Sequence, residues 1–344
     1  MDQRQRGGVR RREQLGRRRS RRDDAGPIRC RFALRRRIGT NDREKGFMDV
    51  VDGGSVTAKA IETRGSFGGN IFSTAPGIRV SGPGSSVAVV EELAVVATGG
   101  GTFGNRVSVS DGASLSAGSA RVTGTAGFGR DSQAFVSSGG VLDIDDRLDV
   151  GGDGVILTGG GGVTTFFDDL HHSGGEIRTA AGATTVVFCD DSGDGPLTGG
   201  GDVRLEGGVA LGNSPAVVSF GGDLLLGVES FTAIELAGTG IGDFDRFEVA
   251  GDFTIGGRLT TALIGGFTLS AGQSFEIAEA GGTLFGRFDG LADGDRVATF
   301  GGHSLLIDYG TSHVRLFAVA IPEPGGAALM IVAGFAAMWR RRSR

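Results

Sequence analysis

The chain has 344 residues, and 66 of them are Gly against a usual share of roughly 7 %. Hydrophobic residues at 39 % can build a core, but two Cys exclude a disulfide-stapled scaffold and four His leave little material for a metalloenzyme. The formal net charge of −5 is split between an Arg-rich N-terminus of 16 Arg and one Lys against six acids over residues 1–45, four Arg over residues 340–344, and an acidic body between them with net charge −20. Such a body repels nucleic acid and anionic lipid, so neither is an expected partner for it.

Residues 1–46 open the chain as MDQRQRGGVRRREQLGRRRSRR and continue in the same style. Like charges at this density oppose collapse, so a disordered arm is expected. The arm lacks the apolar run of about 7–15 residues that a secretory signal needs. Three readings stand for it: an out-of-frame stretch translated ahead of the true start, a solvated tail, or an anion-binding arm.

From Val50 the texture changes to short apolar–polar alternations broken by Gly pairs, which signals many short strands. Val80–Asn105, Arg106–Arg130 and Asp131–Gly154 read as variants of one unit, each with strands, a small-residue turn and a Gly-rich corner. The corners Thr102–Arg106 (TFGNR) and Gly127–Asp131 (GFGRD) lie 25 residues apart, a spacing that points to a solenoid. One such unit cannot bury its apolar face alone, whereas a stack shares a continuous core. Residues 47–235 are therefore expected to form a parallel β-solenoid, or β-helix.

Within Gly159–Leu226 the apolar residues grow larger. Asp190, Ser192 and Asp194 fall on alternate positions ahead of Gly195, as in the opening of a calcium loop, where hard oxygen ligands surround a sharp turn. The acid expected at the twelfth place is missing, since Gly201 stands there, so a plain polar turn competes with the calcium reading. No cofactor other than calcium is expected. Asp143, Asp145, Asp146 and Asp149 form the densest acidic patch of the repeats, read here as a solvated face. His171, His172, His303 and His313 lack metal-site context and are expected at the surface; Cys189 closes an apolar run and is expected in the core. Gly212–Ala216 (GNSPA) reads as a turn rather than a nucleophile elbow.

Phe231–Val319 alternates cleanly, with Phe247/Val249, Phe253/Ile255, Leu259/Thr261/Leu263 and Phe275/Ile277 facing inward and Gly256-Gly257 and Gly265-Gly266 as turns, and residues 236–320 are read as a β-rich capping module. An antiparallel cap on the solenoid is expected there, because open solenoid ends are exposed strand edges. The series Leu205–Gly227, Ile234–Phe267 and Ala271–Gly290 (GNSPA, then IEL, FDRFEV, GG-L, GF and AG-F-I) resembles the Gly-rich, autotransporter-type β-repeat proteins. That resemblance implies a β-solenoid and no catalysis.

Residues 321–344 end the chain. Pro322, Glu323 and Pro324 precede the apolar stretch Gly325–Trp339, and Arg340, Arg341, Arg342 and Arg344 follow. As a helix, with Leu329, Met330, Ile331, Val332, Phe335 and Trp339 along it, that stretch is about 22 Å long against a bilayer core of about 30 Å, a marginal span eased by snorkelling arginines. The order of tripeptide, short transmembrane-type helix and Arg cluster resembles the PEP-CTERM sorting tail of bacterial surface proteins. The resemblance implies an exosortase, an integral membrane transpeptidase, as partner and cleavage near Pro322–Pro324. It departs from the pattern in showing no signal peptide, which puts the start of the chain in question.

The expected whole is an all-β, exported protein of the cell envelope or extracellular matrix, structural or adhesive rather than enzymatic, transiently anchored in the membrane by its C-terminus. Its partners would be an exosortase and an envelope or matrix polysaccharide or protein. The alternative is a solenoid enzyme acting on polysaccharide, a lyase or glycosidase, for which two carboxylates would have to face each other across a groove.

Overall fold

The structure is a computed structural model. It describes residues 47–66, 77–98, 105–124, 132–188, 190–193, 197–210 and 215–322, with the dipeptides Arg29–Cys30 and Arg37–Ile38. Every regular element among them is a β-strand.

Successive turns of the chain lay strands on three faces. The first face stacks Phe47–Val50, Gly77–Ser81, Asn105–Ser110, Ser132–Val136, Gly154–Thr158, Glu176–Thr179 and Leu197–Thr198. The second begins at Ser55–Ala58 and runs through Val141–Ile144, Val163–Phe166 and Thr184–Val187 to Phe253–Ile255 and Leu284–Gly286. The third holds Ile61–Ser66, Arg147–Gly151, Asp169–Ser173 and Asp190–Gly193, and later Gly208–Ala210, Phe231–Leu236 and Arg258–Leu263. The long strands Ser86–Thr98 and Ser114–Thr123 each cover both the second and the third face. All pairings between successive turns are parallel, so the architecture is that of a β-solenoid. Two dipeptides of the Arg-rich arm join it, Arg29–Cys30 beside Ser55–Val56 and Arg37–Ile38 beside Glu62–Thr63.

The alternation read from the sequence is the cause of this packing. In a strand every second side chain points inward, and Val107, Val109, Leu115, Ala117, Leu142, Ile144, Leu148 and Val150 are all buried. Small and branched residues fill the early turns. Phe220, Phe244, Phe247, Phe253, Phe275 and Phe288 fill the later ones. Phe244 meets Phe275 edge-on, with centroids 5.6 Å apart at 83°. Burying each such ring contributes about 1.5–3 kcal/mol. Of the predicted inward triplet, Leu259 is buried while Thr261 and Leu263 are half-buried.

The corner from the first face to the second is made by one column of turns. Gly112 (φ 76°) follows Asp111 (φ 56°), and Gly139 (φ 76°) follows Ser138 (φ 51°), the left-handed pairs of a tight turn in which Gly is the unstrained choice.

The pitch is not constant. Equivalent residues are 31 apart at Ser55 and Ser86, 22 apart at Arg147 and Asp169, and 31 apart again at Asp252 and Thr283. Only the strands must hold register, so the connections vary freely in length. The three units read from the sequence correspond to successive turns, although most of the two corners used to space them lies outside the described residues.

The parallel stacking does not stop at residue 235. Phe231–Leu236 pairs in parallel with Arg258–Leu263, Leu224–Leu226 with Phe253–Ile255, and Phe253–Ile255 with Leu284–Gly286. Antiparallel pairing begins only at Ser274–Ala280, which takes His313–Ala320 on its outer edge; His303–Tyr309 and Arg296–Phe300 follow. These strands cover the outer edge of Ser274–Ala280.

Candidate functional site

The last strand of the fold ends at Ala320. Ile321 donates its N–H to the Gly302 carbonyl at 2.9 Å, and Pro322 beyond it is exposed. The Pro322–Pro324 tripeptide thus begins two residues after the last described strand. Glu323, Pro324 and the apolar and basic positions after them, Leu329, Met330, Ile331, Val332, Phe335, Trp339, Arg340, Arg341, Arg342 and Arg344, lie outside the described residues. Among the described residues no helix is long and apolar enough to cross a membrane.

Two of the three calcium candidates are among the described residues. Asp190 and Ser192 lie on the strand Asp190–Gly193, paired with Asp169–His172, which is extended backbone rather than the opening of a wrapping loop. Asp194 lies outside the described residues, as does Cys189. Among the described residues no group of three or more His, Cys, Asp and Glu is placed to hold a metal ion.

The acidic patch is divided by the strand geometry. Asp143 stands on the outer side of the second face, and Asp145 and Asp146 occupy the corner that follows. Asp149 faces outward on the third face, where Arg147 clamps it, Nη2 lying 2.7 Å from its Oδ1. The same guanidinium reaches Asp169 on the next turn, Nη1 to Oδ2 at 3.0 Å. These two carboxylates thus share a cation. Burial pushes the Asp143 carboxyl above the ordinary aspartate range; a hydrogen bond from Thr165 opposes the shift and the charge of Asp145 adds to it.

His172 corrects the expectation of surface histidines. It points inward on Asp169–Ser173 and is fully buried, with Nε2 3.0 Å from the Gly175 carbonyl oxygen. Alternation forces this outcome: His171 and His172 are adjacent, so one must face the core. His303 and His313 are half-buried on the cap strands.

Other polar groups act between turns, where no local pattern reveals them. Thr158, Thr164, Thr179 and Thr185 are buried in the core. Their hydroxyls form a chain: Thr164 to Thr158 at 2.7 Å, Thr158 to Thr185 at 3.4 Å, and Thr185 to Thr179 at 2.7 Å. Asp245 is buried and accepts two backbone N–H groups, from Ala216 at 2.8 Å and Glu235 at 2.7 Å, tying together two ends of the preceding turn. Its burial pushes the carboxyl upward against those two bonds. On the outside, Asp202 Oδ1 accepts the Asp223 N–H, Asp223 Oδ1 the Asp252 N–H, and Asp252 Oδ1 the Thr283 N–H. The recurring signal for this ladder is a Gly before each of the four residues, at Gly201, Gly222, Gly251 and Gly282.

The outward side of the early second face is a row of small and hydroxyl residues. Ser55, Ser86 and Ser114 stack in one column, and Thr57, Ala88 and Ser116 in the next. Charged pairs also join successive turns, as in Arg79 Nε with Asp49 Oδ1 at 2.8 Å on the first face and Lys59 with Glu91 at 2.9 Å at the bend between the second and third. The arrangement offers an extended, repetitive surface. No protein-family model and no curated protein matches the chain.

Proposed function

We propose that this protein is an exported β-solenoid scaffold of the cell envelope or extracellular matrix, structural or adhesive in its work, and delivered by a PEP-CTERM-type tail that an exosortase cleaves. The observation that carries the reading is the position of the tail. The last described strand ends at Ala320, and the Pro322–Pro324 tripeptide follows after one residue, so removal of everything beyond it cuts no described strand. An address label has to be separable from its cargo, and a cut at this tripeptide would leave every described strand whole.

The body supports the same reading. Outward side chains repeat at the strand spacing of about 4.8 Å along the stack, which suits a long, multivalent contact with an envelope or matrix polysaccharide or protein. Asp149, from the acidic patch, and Asp169 on the next turn are both bound to Arg147, which favours a structural use of these carboxylates. After removal of the tail, the Arg cluster of residues 340–344 stays with the membrane-side fragment.

The test is the intact mass of the protein recovered from a host that carries an exosortase and exports the chain behind a functional signal peptide. The expected product is surface-associated and ends near residues 322–324. Recovery from the cytosol with Arg340–Arg344 still attached contradicts the proposal, as does a Pro322→Ala/Glu323→Ala/Pro324→Ala variant that is processed as before.

A further inference from the structure

The junction between solenoid and cap carries a charge ladder that the sequence reading did not single out. Two rows of outward side chains cross it. Arg246, Glu276, Arg315 and Asp308 alternate in sign along one row, with Glu276 opposite Arg315 and Arg315 opposite Asp308. Glu248, Glu279 and His313 form the other, each opposite the next. Arg246 is the centre. It is buried, yet its guanidinium meets three carboxylates: Glu248 at 3.4 Å, Glu276 at 3.2 Å, and Glu279. Arg315 on the cap strand donates to Glu276 from Nε at 3.0 Å and from Nη2 at 2.8 Å. Glu276, on Ser274–Ala280, is thus shared between Arg246 on the preceding solenoid strand Arg246–Val249 and Arg315 on the cap.

From this geometry we infer that the cap is an acid-releasable closure: its strand His313–Ala320 is latched to the solenoid through Glu276, whose protonation removes the carboxylate that the buried Arg246 and the cap's Arg315 share. An arginine cannot shed its proton in compensation, so the buried guanidinium becomes the destabilising element. Burial alone raises the Glu276 carboxyl, but the Arg315 hydrogen bond and the charges of Arg246, Arg315 and His313 outweigh it and hold it below the ordinary glutamate range. A depressed carboxylate contributes stability above its unfolded value that is lost as pH falls through its folded value, so the latch is closed at neutral pH and opens in acid. The other titratable groups that face the ladder are Asp308, Glu248, Glu279 and His313. Release frees the outer edge of Ser274–Ala280, the strand that the cap covers.

Hydrogen exchange on the full chain, corrected for the intrinsic pH dependence of exchange, tests the latch. Glu276→Gln copies the protonated state at neutral pH. The expected result is amide exchange at least about tenfold faster over 313–320, with Val141–Ile144 and Val163–Phe166 unchanged, and a cap that no longer responds to acid as the parent does. Exchange over 313–320 that stays at the parent rate overturns the inference, and so does a loosening spread evenly along the solenoid. Glu279→Gln, at a more exposed carboxylate, gives the same comparison if Glu276→Gln does not fold, with a smaller selective effect on 313–320 expected.

Discussion

Thr185→Val is the substitution whose consequence follows most directly from the core. Thr185 links Thr158 and Thr179, and all three are buried. Valine has the same shape, so packing survives, but the Thr179 hydroxyl loses its 2.7 Å partner while Thr158 keeps Thr164 at 2.7 Å. One orphaned buried hydroxyl costs about 1–3 kcal/mol. Thr179→Val alone leaves Thr185 with only the longer contact to Thr158 and is expected to cost about 1–2 kcal/mol. The double variant Thr179→Val/Thr185→Val leaves no orphan, because the Thr158–Thr164 pair is intact, and its cost is expected to fall within about 1 kcal/mol of zero. The two single costs therefore must not add. Urea denaturation followed by circular dichroism on the parent, both singles and the double measures this coupling. A double variant that loses the sum of the two singles refutes the hydroxyl chain as the source of the effect.

Three further outcomes are expected. Gly251→Ala drives a Cβ into Asp223 Oδ1 and to 2.9 Å from the Gly222 backbone, so it displaces the outer Asp ladder and costs about 2–4 kcal/mol; a melting curve equal to the parent's would show that the ladder yields freely. Asp245→Ala strips the acceptors from the N–H groups of Ala216 and Glu235, with an expected loss of about 2–5 kcal/mol and faster exchange at those two amides. Asp143→Asn is expected to stabilise at neutral pH, because a carboxyl raised by burial favours the fold only when protonated. That advantage shrinks as pH falls through the raised range, and a variant advantage that instead grows in acid contradicts the assigned cause.

The pH behaviour of the molecule is thus the sum of opposite local signs. Asp143 and Asp245 are raised by burial and favour the fold more as pH falls, whereas Glu276 is held low by two arginines and loses its contribution in acid. The acid response should consequently be local, strongest at the cap, rather than a uniform weakening along the stack. This locality suits a solenoid, in which each turn touches only its neighbours and stability is a sum of turn and interface contributions.

The sequence by itself determined the β class, the stacked organisation and most inward positions, because these are set by a period of two that any window of a few residues displays. Phe247, Val249, Phe253, Ile255, Phe275 and Ile277 face inward as the alternation requires. The order of tripeptide, apolar stretch and Arg cluster at residues 322–344 is equally legible, being contiguous. Tertiary structure alone decided which turn lies opposite which, since connection lengths vary and carry no register signal. It therefore decided every contact between turns: the pairing of Arg79 with Asp49, 30 residues apart, the threonine chain, the double bond to Asp245 and the ladder around Arg246. It also moved the start of antiparallel pairing from 236 to Ser274, because parallel and antiparallel strands alternate identically in sequence and differ only in the partner that their edges find.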